Sequence, residues 1–239
     1  MKLQKIRPFR FFAAFATSML LFANVAMAGP PLICHAFEIG PAKSLPLASN
    51  GWNLSGAENY DTKNLAADTL EILKPDTPVL VRMETLRRAT LYARKDPLAA
   101  KALLAKLHAR ATSAESAGHP DALAWFDAGY VVETYKQWIG QDLPHMTDGM
   151  RLDPNPAAGV DGYAWVKKAI ALRGEDAQME FAAALITLSG PREEHVQHAQ
   201  KAIAGAKSDA LLAQNLAAHF IGPRDPTVSE MLAKNLTTK

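Results

Sequence analysis

From Thr62 onward the apolar residues of this chain recur at intervals of three and four, and the runs are bounded by residues that start and stop helices. A capping residue or a proline opens each run, and glycine often closes it. The pattern predicts helices at about 62–73; at 78–94, capped by Thr77; at 97–117, capped by Asp96 and stopped by Gly118; and at 120–139, stopped by Gly140. Further helices are expected at 162–173, 177–188, 191–206, 210–221 and 226–236. The one long break lies between Gly140 and Gly162. No alternating strand pattern occurs, so the expected fold class is all-α with short turns between helices.

The segment before Thr62 reads differently. Residues 29–61 are rich in Pro, Gly, Ser and Asn and sustain no helical period, so an extended arm with turns is expected, with Trp52 and Leu54 placed to pin it to the helical body, residues 62–239. Residues 1–28 follow the plan of a secretory signal peptide. Lys2, Lys5, Arg7 and Arg10 stand without an acidic residue before the uncharged FFAAFATSMLLFANVAMA, and Ala26-Met27-Ala28 supplies a cleavage site before Gly29. That apolar stretch is at the short limit of the ~18 residues that cross a bilayer, so no stable membrane span is expected after cleavage. Leu32 and Ile33 are too large to precede a lipid-anchored Cys34. The expected location is the periplasm or the exterior.

Removing the signal segment changes the charge. Four of 26 basic residues leave with it, and 22 remain against 24 acidic ones, so a formal +2 becomes −2. Whole-chain charge then gives no argument for a nucleic-acid partner. The single cysteine, Cys34, forms no internal disulfide, and the fold must rest on its core.

Two helix–turn–helix stretches repeat. KKAIALRGEDAQMEF from Lys167 aligns with QKAIAGAKSDALLAQ from Gln200 at a spacing of 33, pairing Lys168 with Lys201, Ala169 with Ala202, Ile170 with Ile203 and Asp176 with Asp209. RRATLYARKDP from Arg87 is a fainter copy, with Ala89 and Asp96 in the equivalent places. At these residues the chain resembles the tetratricopeptide-repeat superfamily. The resemblance implies paired antiparallel helices stacked into a curved array, in which Gly129, Ala184 and Ala217 are small contact residues of first helices and Ala169 and Ala202 of second helices. It covers roughly 86–221, with Gly174 and Lys207 where that family has proline. The opening GPPLICHAFEIG also looks like the mature N-termini of some exported bacterial proteins, a likeness that implies no activity.

Several groups carry candidate chemistry. Cys34 and His35 offer a thiolate and an imidazole to a soft metal such as copper or zinc, though neighbours on an extended chain point apart and a site needs a further histidine. Cys34 as a small buried hydrophobe explains "LICHAF" equally well. His195 and His198 share a helix face near Glu194, and two ligands alone make no site. From Val79 to Ala111 eight basic residues face only Glu84 and Asp96. Arg87 and Arg94, and Arg88 and Lys95, lie seven apart and line one helix side, a stripe for an acidic partner or a solvated face. Trp125, Tyr130 and Trp138 flank the long loop as a peptide platform or as core. Asp142, Asp148, Asp153, Asn155 and Asp161 in that loop do not match an EF-hand and suit turns.

Serine-elbow, zinc-protease, C-x-x-C and phosphate-loop motifs are missing from the sequence. The leading expectation is an exported helical-repeat protein that binds an envelope protein or peptide and uses no cofactor. The alternative is a small metal- or redox-handling protein built on Cys34 and His35. An open concave face lined by Arg or aromatic residues favours the first, and a face filled by the chain's own arm weakens it.

Overall fold

The computed structural model describes residues 32–47, 54, 57–138, 152–189, 192–220, 230, 231 and 233. The expected signal segment, Trp52, Gly140 and most of the helix expected at 226–236 lie outside the described residues. Within them the chain is all-α, with eight α-helices and no strand. They are α1 (Leu65–Ile72, after a 3-10 turn Thr62–Asn64), α2 (Val79–Ala93), α3 (Pro97–Ser116), α4 (Ala122–Lys136), α5 (Gly162–Arg173), α6 (Ala177–Ile186), α7 (Arg192–Gly205) and α8 (Ala210–Phe220).

Aspartates set most of the helix starts. Asp96, Asp121 and Asp176 each accept two first-turn N–H groups, those of α3, α4 and α6, at 2.9–3.1 Å. Asp161 accepts Ala164 N–H and Asp209 accepts Leu212 N–H, at the starts of α5 and α8. Asp121 moves the start of α4 to Ala122, two residues beyond the proline expected to open it. The expected cap Thr77 does other work: its hydroxyl donates to Ile72 O at 2.6 Å and accepts from Lys74 N, closing the turn after α1. Gln178 of α6 instead receives Leu80 N–H at the head of α2, at 3.0 Å.

The helices form two layers of burial. α2 is buried at every position except Arg88, and α4 and α6 are buried around most of their circumference. Such all-round burial requires neighbours on all sides. α3 buries one stripe, Ala99, Ala100, Leu103, Leu104, Leu107 and Ala111, at helical spacing. α5 packs on α4 and α7 on α6, while α2 packs on α4 more than on the α3 that follows it. The Thr90 and Thr134 hydroxyls bond to each other at 2.8 Å between α2 and α4.

Small residues set the α4–α5 approach. A Cβ on Gly129 would stand 2.6 Å from Gly162 O, and one on Gly162 would stand 2.6 Å from Gly129 O. Ala89, Ala169 and Ala202, which share one place in the sequence repeat, are all fully buried. Among the described residues no helix is long and apolar enough to cross a membrane.

Candidate functional site

Residues 32–47 contain no helix or strand, yet Leu32, Ile33, Phe37 and Leu45 are buried in the common core. An extended segment inside a protein must find partners for its backbone polar groups. Six side chains of the helical body supply them. Gln137 accepts Leu32 N–H at 3.0 Å, Glu84 accepts Phe37 N–H at 3.0 Å, and Arg87 donates to Ile33 O at 2.9 Å. Asn215 of α8 grips Glu38 twice, accepting its N–H and donating to its carbonyl, both at 2.9 Å. Arg88 donates to Leu45 O at 2.6 Å, and the Tyr92 hydroxyl donates to Pro46 O. The Phe37 ring stacks on His219, 4.7 Å between centroids and 7° from parallel, and meets Phe181 edge-on.

The centre of this clasp is a buried ion cluster. Glu84 accepts Arg87 Nε at 2.7 Å, Arg87 Nη2 at 3.0 Å and Arg88 Nε at 2.6 Å. Glu84 and Arg87 have no solvent exposure. A charge so placed must be paired and fully hydrogen-bonded, and the arm's main chain completes that set.

The sequence-predicted binding residues therefore sit differently from an open basic and aromatic face. Arg87 and Arg88 face inward and hold the arm, because the arm's carbonyls need donors. Arg94 is half-buried with its guanidinium 5.3 Å from the Trp138 ring centroid, and burial lowers its pKa. Of the four, Lys95 alone is exposed. Trp125, Tyr130 and Trp138 are buried core residues, since α4 is enclosed by its neighbours. The face expected to be open is filled by the chain's own arm. Cys34 and His35 are half-buried, and the His35 ring lies edge-on to His219 at 5.8 Å. Among the described residues no group of three or more His, Cys, Asp or Glu could hold a metal ion. Asp142 and Asp148 lie outside the described residues; Asn155 bonds Tyr135 O and Ala157 N–H, as a turn residue does.

A second buried cluster ties α2, α3 and α4 to the turn after α1. Asp127 accepts from Arg82 at 2.6 Å and from Arg110, while Arg82 donates to Thr77 O and Lys74 O and Arg110 to Leu73 O. Burial pushes the Asp127 pKa up to about 6, against the opposing pull of Arg82 and Arg110, and lowers that of Arg82.

A third network joins α5, α6 and α7. The Tyr163 hydroxyl donates to Glu194 at 2.5 Å and bonds His198 Nε2 at 2.8 Å. His198 Nδ1 meets Glu180, which also accepts from Lys201 at 2.9 Å. His195 turns away and bonds Ala184 O at 2.8 Å. A relay of carboxylate, imidazole and phenol invites a catalytic reading, but burial and Glu194 raise the Tyr163 pKa, so the phenol keeps its proton and is a poor nucleophile. Burial is the largest influence on Glu180 and pushes its pKa up; the bonds from His198 and Lys201 outweigh it and bring the value below the usual 4.5.

The two carboxyls have opposite linkage. A depressed pKa stabilises the fold above about pH 4.5 and loses that contribution as the pH falls through the folded value. The raised Asp127 pKa makes stability fall as the pH rises from about 3.8 to about 6. In urea titrations across pH 3–7, Glu180→Gln is expected to flatten the acid limb and Asp127→Asn to remove the decline between pH 4 and 6. An unchanged profile in both variants contradicts this assignment.

Sequence reasoning missed Glu84, Tyr92, Gln137 and Asn215 as arm-holding groups. Glu84 carried a legible signal: an acid followed by arginines three and four residues later on one helix. No family model, curated protein or solved structure matches the chain.

Proposed function

We propose that this chain is an exported helical-repeat protein that works in the cell envelope as a binding module for an extended peptide segment. The self-filled face counts against a groove that stands open; what supports the reading is that the body holds residues 32–47 as it would hold a peptide. Seven main-chain atoms of the arm are gripped by side chains of α2, α8 and the end of α4, and one aromatic side chain, Phe37, enters a socket of His219 and Phe181. Main-chain grips give affinity for any extended segment, and a side-chain socket gives selectivity. The groove is held at rest by the chain's own arm, and a segment of similar pattern enters by replacing it.

The repeat reading supports the same function. Asp96, Asp176 and Asp209 sit at corresponding places in the sequence repeat, and each accepts from the first turn of the following helix. The shared cap supports reading them as successive helical hairpins; in proteins of the tetratricopeptide type such hairpins stack into a concave surface. The position of α2 against α4 is a departure from a regular stack.

The test uses the full chain with a specific protease site placed within residues 48–53. After cutting, a fluorescent peptide with the sequence of residues 32–47 is added. Saturable one-to-one uptake, weakened at least tenfold in a peptide carrying Phe37→Ala, is the expected result. A cut chain that keeps its arm against a large excess of peptide, or loses it and rebinds none, overturns the reading.

A further inference from the structure

We infer that a second, open site lies between α3, the turn at 154–160 and α5, and that it binds a free medium- or long-chain fatty acid. The pocket measures about 850 Å³, within the range of small-molecule sites. Leu98, Leu104, Pro154, Pro156, Val160 and Trp165 contribute to its apolar wall. The Trp165 ring is fixed by stacking on His108, 4.5 Å between centroids and 8° from parallel, and His108 in turn meets Trp125 edge-on. This gives a preformed apolar wall.

Leu98 is 79 % exposed, and among the described residues only Leu172 is another exposed large hydrophobic. Leu98 carries the apolar lining of the pocket out to the solvent-facing side of α3.

The polar inventory of the pocket selects that occupant. Among the described residues Lys101 is the only charged side chain in the lining, and no carboxylate lines it. Lys101 is exposed and forms no ion pair among the described residues. One unneutralised cation beside an apolar wall complements one anionic head on an apolar tail. A peptide would bring amide N–H groups that need acceptors, as the arm's amides do, and among the described lining side chains only His108 can accept a hydrogen bond. A hydrocarbon chain has no such need. Its binding tightens by about fourfold for each methylene that enters.

The experiment is titration calorimetry of the full chain with octanoate, decanoate and dodecanoate below their micelle concentrations. Decanol and anionic phospholipid vesicles are run as separate arms. The expected result is one site per chain, with affinity rising along the series and decanol at least tenfold weaker than decanoate. Lys101→Glu is expected to lose at least tenfold in affinity, Lys101→Arg to keep it, and Leu98→Asp to abolish binding. Both positions are exposed, so unchanged melting curves will show that the variants fold. Equal binding of decanol, an unaffected Lys101→Glu, or binding to vesicles alone overturns the inference. So does sedimentation showing a dimer that Leu98→Asp dissociates, because a second copy would then cover the pocket.

Discussion

Replacing Glu84 with alanine is expected to destabilise the protein by about 3–5 kcal/mol in urea unfolding, the range seen when one partner of a buried ion pair is removed. At this chain length that corresponds to a fall in Tm on the order of 10 °C. The loss has two parts. Arg87, without solvent exposure, keeps its charge and loses its counter-ion, and Phe37 N–H loses its acceptor. The double variant Glu84→Ala, Arg87→Met separates them. With both buried charges gone the helical body is expected to recover most of its stability, since apolar replacement of a whole buried pair is often neutral. The arm, short of its grips at Ile33 and Phe37, stays loosened. A single variant that unfolds like the parent would show that the cluster contributes nothing to the fold.

Gly129→Ala is expected to cost about 3 kcal/mol, at the upper end for overpacking. The added methyl meets Gly162 O at 2.6 Å and Val166 N at 2.9 Å, both backbone atoms, so relief requires α4 and α5 to move apart rather than a side chain to rotate. α5 carries Tyr163, which reaches across to Glu194 and His198 of α7, so the shift is expected to weaken that network as well. Urea unfolding measures the loss. A change below about 0.5 kcal/mol would mean that small residues do not set this helix approach.

Much of the fold was legible because helix boundaries are local chemistry. Asp96 and Gly118 mark their ends through hydrogen bonds and backbone conformation within a few residues, and a sequence displays both. Thr77 misled for the same local reason: a threonine before a proline looks like a cap, and only the distant Gln178 reveals that the cap comes from α6. The clasp was less legible because its partners are far apart along the chain. Arg87 and Arg88 read as half of a solvated stripe until the arm, some 40 to 55 residues earlier, is laid across them. The aromatic residues left two readings open in the sequence, platform or core, and their burial is that of core. Trp125 and Tyr130 flank a polar loop in sequence, but α4 is enclosed by α2, α3 and α5, which periodicity does not show.

Hydrogen exchange at two amides decides the matter most directly. The N–H groups of Phe37 and Glu38 donate to the side chains of Glu84 and Asn215 and have no secondary structure of their own. Followed residue by residue in the full chain, both are expected to exchange at least a hundredfold slower than in an unstructured peptide, and Asn215→Ala is expected to release Glu38 while α2 and α4 stay protected. Exchange of Phe37 and Glu38 at unstructured rates in the parent, with the same helices protected, would contradict a gripped arm and the peptide groove inferred from it.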